Sequence, residues 1–431
     1  MNTIKNTAFL LLTALTLAGC SGSNGATGPA GATGSTGPAG PGITWVDVTT
    51  DSVQAVPNTG YMADSVSQVT VTLPATLQKG DIVQVSGVGT GGWKIAQNAG
   101  QTVITSNLPG SIGAVWTPRE SARNWRSVAY SADSTKLVAV VYGGQIYTST
   151  DSGMTWTARE SARNWNSVAS SADGTKLVAV VYVGQIYTST DSGVTWTPHE
   201  LARIWSSAAS SSDGTKLVAV AYGGEIYTST DSGATWTPRE LTRNWNSVAS
   251  SADGTKLVAV EYLGQIYTST DSGATWTPRE STRYWTSVAS SADGTKLVAV
   301  AYPGQIYTST DSGATWTPRE SARRWSSVAS SSDGTKLVAA AYGGQIYTST
   351  DSGVIWTPRE SARQWWSVAS SSDGSKLAAV DYGGQIYTSW LNTTVGDAGS
   401  ISGGQYDAIA LQYIGNDTFT VLSHEGNLIL Q

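Results

Sequence analysis

One period governs this chain. Trp125, Trp165, Trp205, Trp245, Trp285, Trp325 and Trp365 recur every 40 residues. A tyrosine series keeps the same spacing from Tyr147 to Tyr387, and a second tryptophan series runs from Trp116 to Trp356. Each series has seven members, so seven units are present. A period near 40 suits either a propeller blade or a helical repeat, and the content of the unit decides between them. In the unit that starts at Asn166, residues 167–170 are a short run of small side chains and Ala172-Asp173-Gly174-Thr175 is a turn. Residues 177–182 form a continuous apolar run, suited to a strand buried on both faces. Val183-Gly184 turns, residues 185–190 alternate, Asp191-Ser192-Gly193 turns again, and a fourth strand starts at Thr195. Four antiparallel strands per unit make a blade. The expectation is an all-β, seven-bladed propeller of 40-residue, four-stranded blades over residues 113–390, with the Trp and Tyr series as blade packing.

The ends indicate how such a ring closes. The seventh unit lacks a fourth strand, while Val115-Trp116-Thr117-Pro118-Arg119 is a fourth strand with no blade before it. Pairing the two removes both free edges, which would otherwise template aggregation. Composition agrees with an all-β reading: 18 Trp, 19 Tyr and 47 Gly, with charged residues at 13%. The net charge of −6 offers no basic face for a nucleic acid, so none is expected as a partner.

The first 42 residues have another character. Lys5 precedes an apolar run over residues 8–18 that is too short for a stable membrane span. Leu17-Ala18-Gly19-Cys20 follows, and Cys20 is the only cysteine in the chain. The segment resembles a bacterial lipoprotein signal peptide (residues 1–19) with its lipobox. That resemblance implies lipidation of Cys20, a membrane contact through the lipid anchor alone, and a place in the bacterial envelope, at the outer membrane or cell surface. Glycine then falls at every third position from Gly22 to Gly40. Residues 20–42 read either as a collagen-like stalk, which would make the protein a homotrimer, or as a flexible linker.

Residues 43–110 and 391–431 read as the two parts of a small β module. Strands are expected over 68–73 and 81–85, a further segment over 91–98, and more strands over 402–411 and 418–423. The module loosely resembles those that follow collagen-like stems in bacterial surface and phage-tail-like proteins. The propeller is then inserted in it or flanked by it.

Between the third and fourth strands stands Ser149-Thr150-Asp151-Ser152-Gly153-Met154-Thr155-Trp156, repeated from Ser189, Ser229, Ser269, Ser309 and Ser349. This resembles the Asp-box, S-x-D-x-G-x-T-W, of BNR/sialidase-like propellers. Asp151, Asp191, Asp231, Asp271, Asp311 and Asp351 are the structural aspartates of that motif, which in such families lies on the face away from any active site. Those families include sialidases, sortilin-type receptors, some glycoside hydrolases and the photosystem II assembly factor, and fold alone does not choose among them. Sialidases carry an Arg-Ile-Pro motif that is absent here; Arg203-Ile204-Trp205 comes nearest.

Comparing the blades with each other locates variation. It gathers after the last arginine of each unit (Ile204, Tyr284 and Gln364 among others), after the tryptophan (Arg126, Asn166, Trp366), and before the tyrosine that ends strand two (Glu261, Asp381). All these positions fall on loops joining strands four to one and two to three, which open on one face. Arg123, Arg163, Arg203, Arg243, Arg283, Arg323 and Arg363 stand there as a constant series. Two readings fit. One is a diversified binding face, with Tyr284, Glu261, Asp381 and Trp366 setting specificity and an arginine ring suited to carboxylates or phosphates. The other is neutral variation, with each arginine paired to the glutamate three residues before it. His199 and His424 lack companion ligands, so no metal is expected, nor any cofactor. The chain is thus expected to be a non-catalytic surface adhesion propeller for a glycan or protein ligand. A sialidase-like hydrolase and an assembly factor for a membrane complex stand as the alternatives.

Overall fold

Seven four-stranded antiparallel sheets stand around a common axis in the computed structural model, which describes residues 42–430 apart from 106, 107, 109–111, 391 and 394. No described residue is helical. The signal peptide, Cys20 and the Gly-X-Y segment lie outside the described residues. Blade 1 shows the pattern: strands a (Trp125–Tyr130), b (Leu137–Gly144), c (Ile146–Ser149) and d (Thr157–Ala158) run from the axis outward. Strand b is apolar throughout because both of its faces are covered. Leu137, Ala139 and Val141 pack against Ala378, Val380 and Ile386 of blade 7, while Val138 and Val140 pack against Trp165, Leu177 and Ala179 of blade 2. Equivalent clusters fill every gap between neighbouring blades, so the ring has no unfilled joint.

The tryptophans distribute differently from a simple wedge of small inner and large outer residues. Strand a of blade 2 runs Arg163–Ser170, longer than the small-residue run, because Trp165 is part of it and fully buried. The outer tryptophan precedes strand d, which is two residues long in six of the seven blades, and leans on the inner one, as where the Trp165 and Trp196 centroids lie 6.4 Å apart. Tyr187 meets the same indole edge-on at 5.0 Å. In blade 2, strands b and c merge into Leu177–Ser189, and strand d continues into the next strand a as Thr197–Ser210.

Blade 7 takes its strand d from the start of the propeller. Thr117–Pro118 pairs with Ile386–Trp390 in the register Thr388↔Thr117, Tyr387↔Pro118. Trp116 packs 6.3 Å from Trp365, Arg119 Nε donates to Thr388 Oγ1 at 2.7 Å, and Ile112 is buried between blades 6 and 7. Across the seam between blades 7 and 1, Lys376 Nζ donates to Ser152 Oγ at 2.9 Å.

Two kinds of turn fix the face opposite the strand b–c loops, one between strands a and b in every blade and one between strands c and d in blades 1 to 6. Thr195 donates from its amide (2.9 Å) and hydroxyl (2.6 Å) to Asp191, and Ser189 Oγ donates to the same carboxylate at 2.8 Å. Gly193 has φ +83°, and a Cβ there would meet Thr148 Cγ2 of the preceding blade at 2.8 Å, so only glycine suits this close approach. The other turn repeats the device with Ser171 Oγ donating to Asp173 at 2.6 Å. The donated bonds favour the ionised carboxylates. Those from Thr195 hold the pKa of Asp191 at about 2, and those from Ser171 do the same at Asp173. The equivalents Asp213, Asp231, Asp271, Asp293, Asp311 and Asp333 are likewise held at about 2. A carboxylate depressed in the folded state stabilises above its unfolded pKa of about 3.9, and that stabilisation is lost as pH falls through the folded value. The melting temperature is therefore expected to stay level from about pH 7 to about pH 5 and to fall steadily between about pH 4 and about pH 2. Thermal melts across that range, at fixed ionic strength, would refute the role of these turns if the curve stayed flat down to about pH 2.

The segments flanking the propeller share two sheets. Thr59–Ala63 and Ile82–Gly87 pair in parallel, and Ala408–Gly415 joins the latter antiparallel. In the second sheet Val69–Thr72 pairs with Trp93–Ala96, which pairs with Ser400–Gly403. Between them lies a separate core that includes Tyr61, Val85, Trp93, Ile401 and Phe419, and Trp93 Nε1 donates to Asp407 O at 2.9 Å.

Candidate functional site

A channel of about 750 Å³ runs along the axis, walled by strand a of every blade. Each of these strands offers the channel a serine, followed in six of the seven by a valine, as in Ser167-Val168 and Ser247-Val248. The serines are not idle: Ser247 Oγ accepts from Val288 N–H of the next blade at 3.3 Å. The wall is thus small and largely self-satisfied, and its character comes from the mouth.

The mouth lies on the face of the b–c loops, and tyrosines surround it. Tyr142, Tyr182, Tyr222, Tyr262, Tyr302, Tyr342 and Tyr382 stand near the end of strand b or just beyond it, and Tyr222, Tyr262, Tyr302 and Tyr342 line the channel. Tyr222 and Tyr262 lie with centroids 6.2 Å apart, as do Tyr142 and Tyr182. Tyr284 extends the belt, 5.4 Å from Tyr262, and is 44% exposed. Trp366 lines the channel and stacks against Tyr382 at 5.4 Å and Tyr342 at 5.9 Å. Arg126 is the one charged side chain among the residues that line the channel. Burial lowers its pKa, but a guanidinium stays charged throughout the physiological range.

The arginine series occupies a different place. None of the seven lines the channel. Each guanidinium lies over the strand c tyrosine of its own blade, 4.6–4.9 Å from the ring centroid. Six also pair with the glutamate three residues before, as in Arg123–Glu120 (3.5 Å) and Arg323–Glu320 (3.4 Å). Arg203 has no such ion pair among the described residues; there the chain runs on as one strand and Glu200 has φ +57°. Glu261 and Asp381 replace buried valines or alanines of strand b. Glu261 reaches Arg243 at 3.6 Å, while burial raises the pKa of Asp381 and Arg363 partly offsets it. The structure therefore brings Trp366 and Tyr284 to the mouth and leaves the arginines, Glu261 and Asp381 in the joints between blades. Asp151, Asp191, Asp231, Asp271, Asp311 and Asp351 sit in the turns of the opposite face. The tyrosine belt and Arg126 are the additions; their signal in the sequence is an invariant tyrosine beside a turn and a lone cation in a polar series. His199 stands where other blades carry arginine, and its Nε2 bonds Thr188 Oγ1 at 2.8 Å as Arg159 Nε bonds Thr148 at 2.8 Å.

Around this mouth four apolar side chains are exposed where other blades carry glycine, proline or serine: Val183 (63%), Leu201 (74%), Leu241 (71%) and Leu263 (50%). Val183 and Leu263 take φ of +54° and +60°, a strained conformation for side chains of this kind.

Solved structures of the same fold exist. The chain is similar to YCF48 from Cyanidioschyzon merolae, with a TM-score of 0.54 and 16% identity over 64% of this chain and 99% of that one. A structure of YCF48 bound to D1 peptide gives 0.52 and 15%, over 64% and 96%. The Cps50 (Swd1) β-propeller domain of Myceliophteria thermophila gives 0.52 and 13%, over 64% and 99%. The Niastella koreensis GH74 enzyme gives 0.50 and 17%, over 62% of this chain and 43% of that one. The fold is an all-β propeller. No family model matches the chain, and no curated protein sequence does.

Proposed function

We propose that this chain is a non-catalytic binding propeller, displayed at the bacterial cell surface as a lipoprotein, that holds a glycan or protein ligand at the channel mouth. The observation that carries this reading is the belt of strand b tyrosines around a channel of about 750 Å³ whose lining, among the described residues, includes no acidic side chain. Tyrosines offer flat, amphipathic contact area at little cost in side-chain order. Most glycosidases work with paired carboxylates and sialidases with a tyrosine nucleophile; among the described residues the channel lining supplies no carboxylate, and Glu261, off the channel, is paired with Arg243. The exposed Val183 and Leu263 support a ligand-facing surface, since strain in the backbone persists where something else requires that side chain. A propeller of this fold with a bound peptide, YCF48 with D1 peptide, supports the protein-ligand arm. Lipidation at Cys20 and the collagen-like stalk belong to the same proposal and rest on the sequence alone.

A glycan array and a pull-down from envelope extracts test it, each repeated with Tyr222→Ala/Tyr262→Ala. A ligand held by the wild type and lost in the variant is the expected result. Silence of folded protein in both formats would remove the proposal, and turnover of a fluorogenic sialoside that one point mutation abolishes would replace it with a hydrolase. Val183→Gly and Leu263→Gly should leave the melting temperature level or raised while weakening a protein ligand.

A further inference from the structure

The seven blades are near copies, so a departure from the repeat at a single place is informative. At the position after the buried inner tryptophan, Asn166, Ser206, Asn246, Thr286 and Ser326 all do one job. Each side chain donates to the carbonyl of the inner tryptophan of the next blade, at 2.7–3.1 Å. Five blades are stapled to their successors in this way. The remaining two blades carry Arg126 and Trp366, neither of which makes that bond, and they are neighbours across the seam where the ring closes. There they touch each other: the guanidinium carbon of Arg126 lies 4.1 Å from the Trp366 centroid, 4.9 Å from Tyr142 and 5.2 Å from Tyr382.

Three aromatic rings thus surround the guanidinium, and among the described residues no hydrogen bond from Arg126 to a protein acceptor is present. Among the described residues no carboxylate pairs with Arg126; its Nε is buried without a hydrogen-bond partner, as are those of six arginines of the constant series, but Arg126 alone of them lines the channel. A donor fork kept in aromatic surroundings and aimed at no protein acceptor is incomplete. Among the described residues the channel lining holds no second cation. One guanidinium balances a single negative charge, which fits a carboxylate and leaves a phosphate dianion undercompensated.

We infer that the seam between blades 7 and 1 is a subsite for an organic carboxylate carried on a flat ring, with Arg126 forking the carboxylate and Trp366, Tyr142 and Tyr382 flanking the ring. This rests on the channel mouth being the binding site, and it names the group by which the ligand is anchored there.

The test uses the full-length protein and ligand-observed NMR or titration calorimetry with three probes: indole-3-acetate, indole-3-acetamide and acetate. Indole-3-acetate should bind with Kd on the order of 1 mM or tighter, and the amide and acetate at least about tenfold more weakly, because each lacks one half of the recognition. Arg126→Asn and Trp366→Ser install side chains that other blades already use at this position, so both are expected to fold and to gain the missing staple. Arg126→Asn should lose indole-3-acetate by at least about tenfold, and Trp366→Ser should weaken it without lowering the melting temperature. Equal binding of acid and amide, undiminished binding in Arg126→Asn, or no binding of indole-3-acetate would each overturn the inference. A glycan or protein that the array or pull-down captures equally well with Arg126→Asn would leave the channel-mouth reading standing and remove the carboxylate subsite alone.

Discussion

A chain that begins at Arg119 and ends at Trp390 is expected to aggregate or to melt without a cooperative transition, whereas one that begins at Ile112 is expected to melt sharply. The difference between them includes the strand Thr117–Pro118, Trp116 and Ile112. Without these, the edge Ile386–Trp390 is left unpaired and Trp365 loses the indole that lies 6.3 Å from it. Removing a large packed aromatic costs about 3–5 kcal/mol, and the net stability of a domain is only about 5–15 kcal/mol. The open edge then offers its N–H and C=O groups to other molecules. Calorimetry and light scattering on the two truncations read the outcome directly. Matching melts would mean that the seventh blade does not depend on its borrowed strand.

Trp245→Ala, like truncation of any of the seven equally buried inner tryptophans, should be strongly destabilising. Trp245 is fully buried in the joint between blades 3 and 4, among Val218, Val220 and Ile226. Its ring meets Tyr267 at 5.0 Å and Trp276 at 6.5 Å, so truncation opens a cavity bounded by two rings that cannot both collapse into it. A loss of about 3–5 kcal/mol is expected, seen as a lower denaturant midpoint with an unchanged slope. A loss below about 1 kcal/mol would mean that the joint repacks, and that the inner tryptophans are not what sets blade spacing.

Much of this architecture is legible in the chain because the repeat is so regular. The apolar run of strand b, the Ser-x-Asp-x-Gly turns and the orphan strand at residues 115–119 each carry a local physical signature, and each survives in three dimensions as sequence reasoning expects. The candidate site is less legible. Sequence places Arg123 and its equivalents on the right face, but whether they point at the axis depends on a tyrosine two strands away that claims each guanidinium. Conversely, the strand b tyrosines look like packing residues until the twist of the blades turns them to the mouth. Arg126 is visible in the sequence only as one member of a variable series. Its neighbour Trp366 is 240 residues away along the chain, and nothing local announces that ring closure will stack them.

The clasp made by the flanking segments has a mechanical consequence. Ile82–Gly87, before the propeller, and Ala408–Gly415, after it, are joined antiparallel over five residue pairs. A pull on the chain at Ile43, resisted by something gripping the ring, therefore reaches this ladder before it reaches Thr117–Pro118. The short closing strand could be peeled one bond at a time if all of the force entered beside it, but the clasp ties the segment before the ring to the segment after it, so the load reaches the ring by two connections. A pull at Ile43 is thus shared between the strand Thr117–Pro118 and the far side of the same blade, at Ile386–Trp390, instead of falling on the closing strand alone.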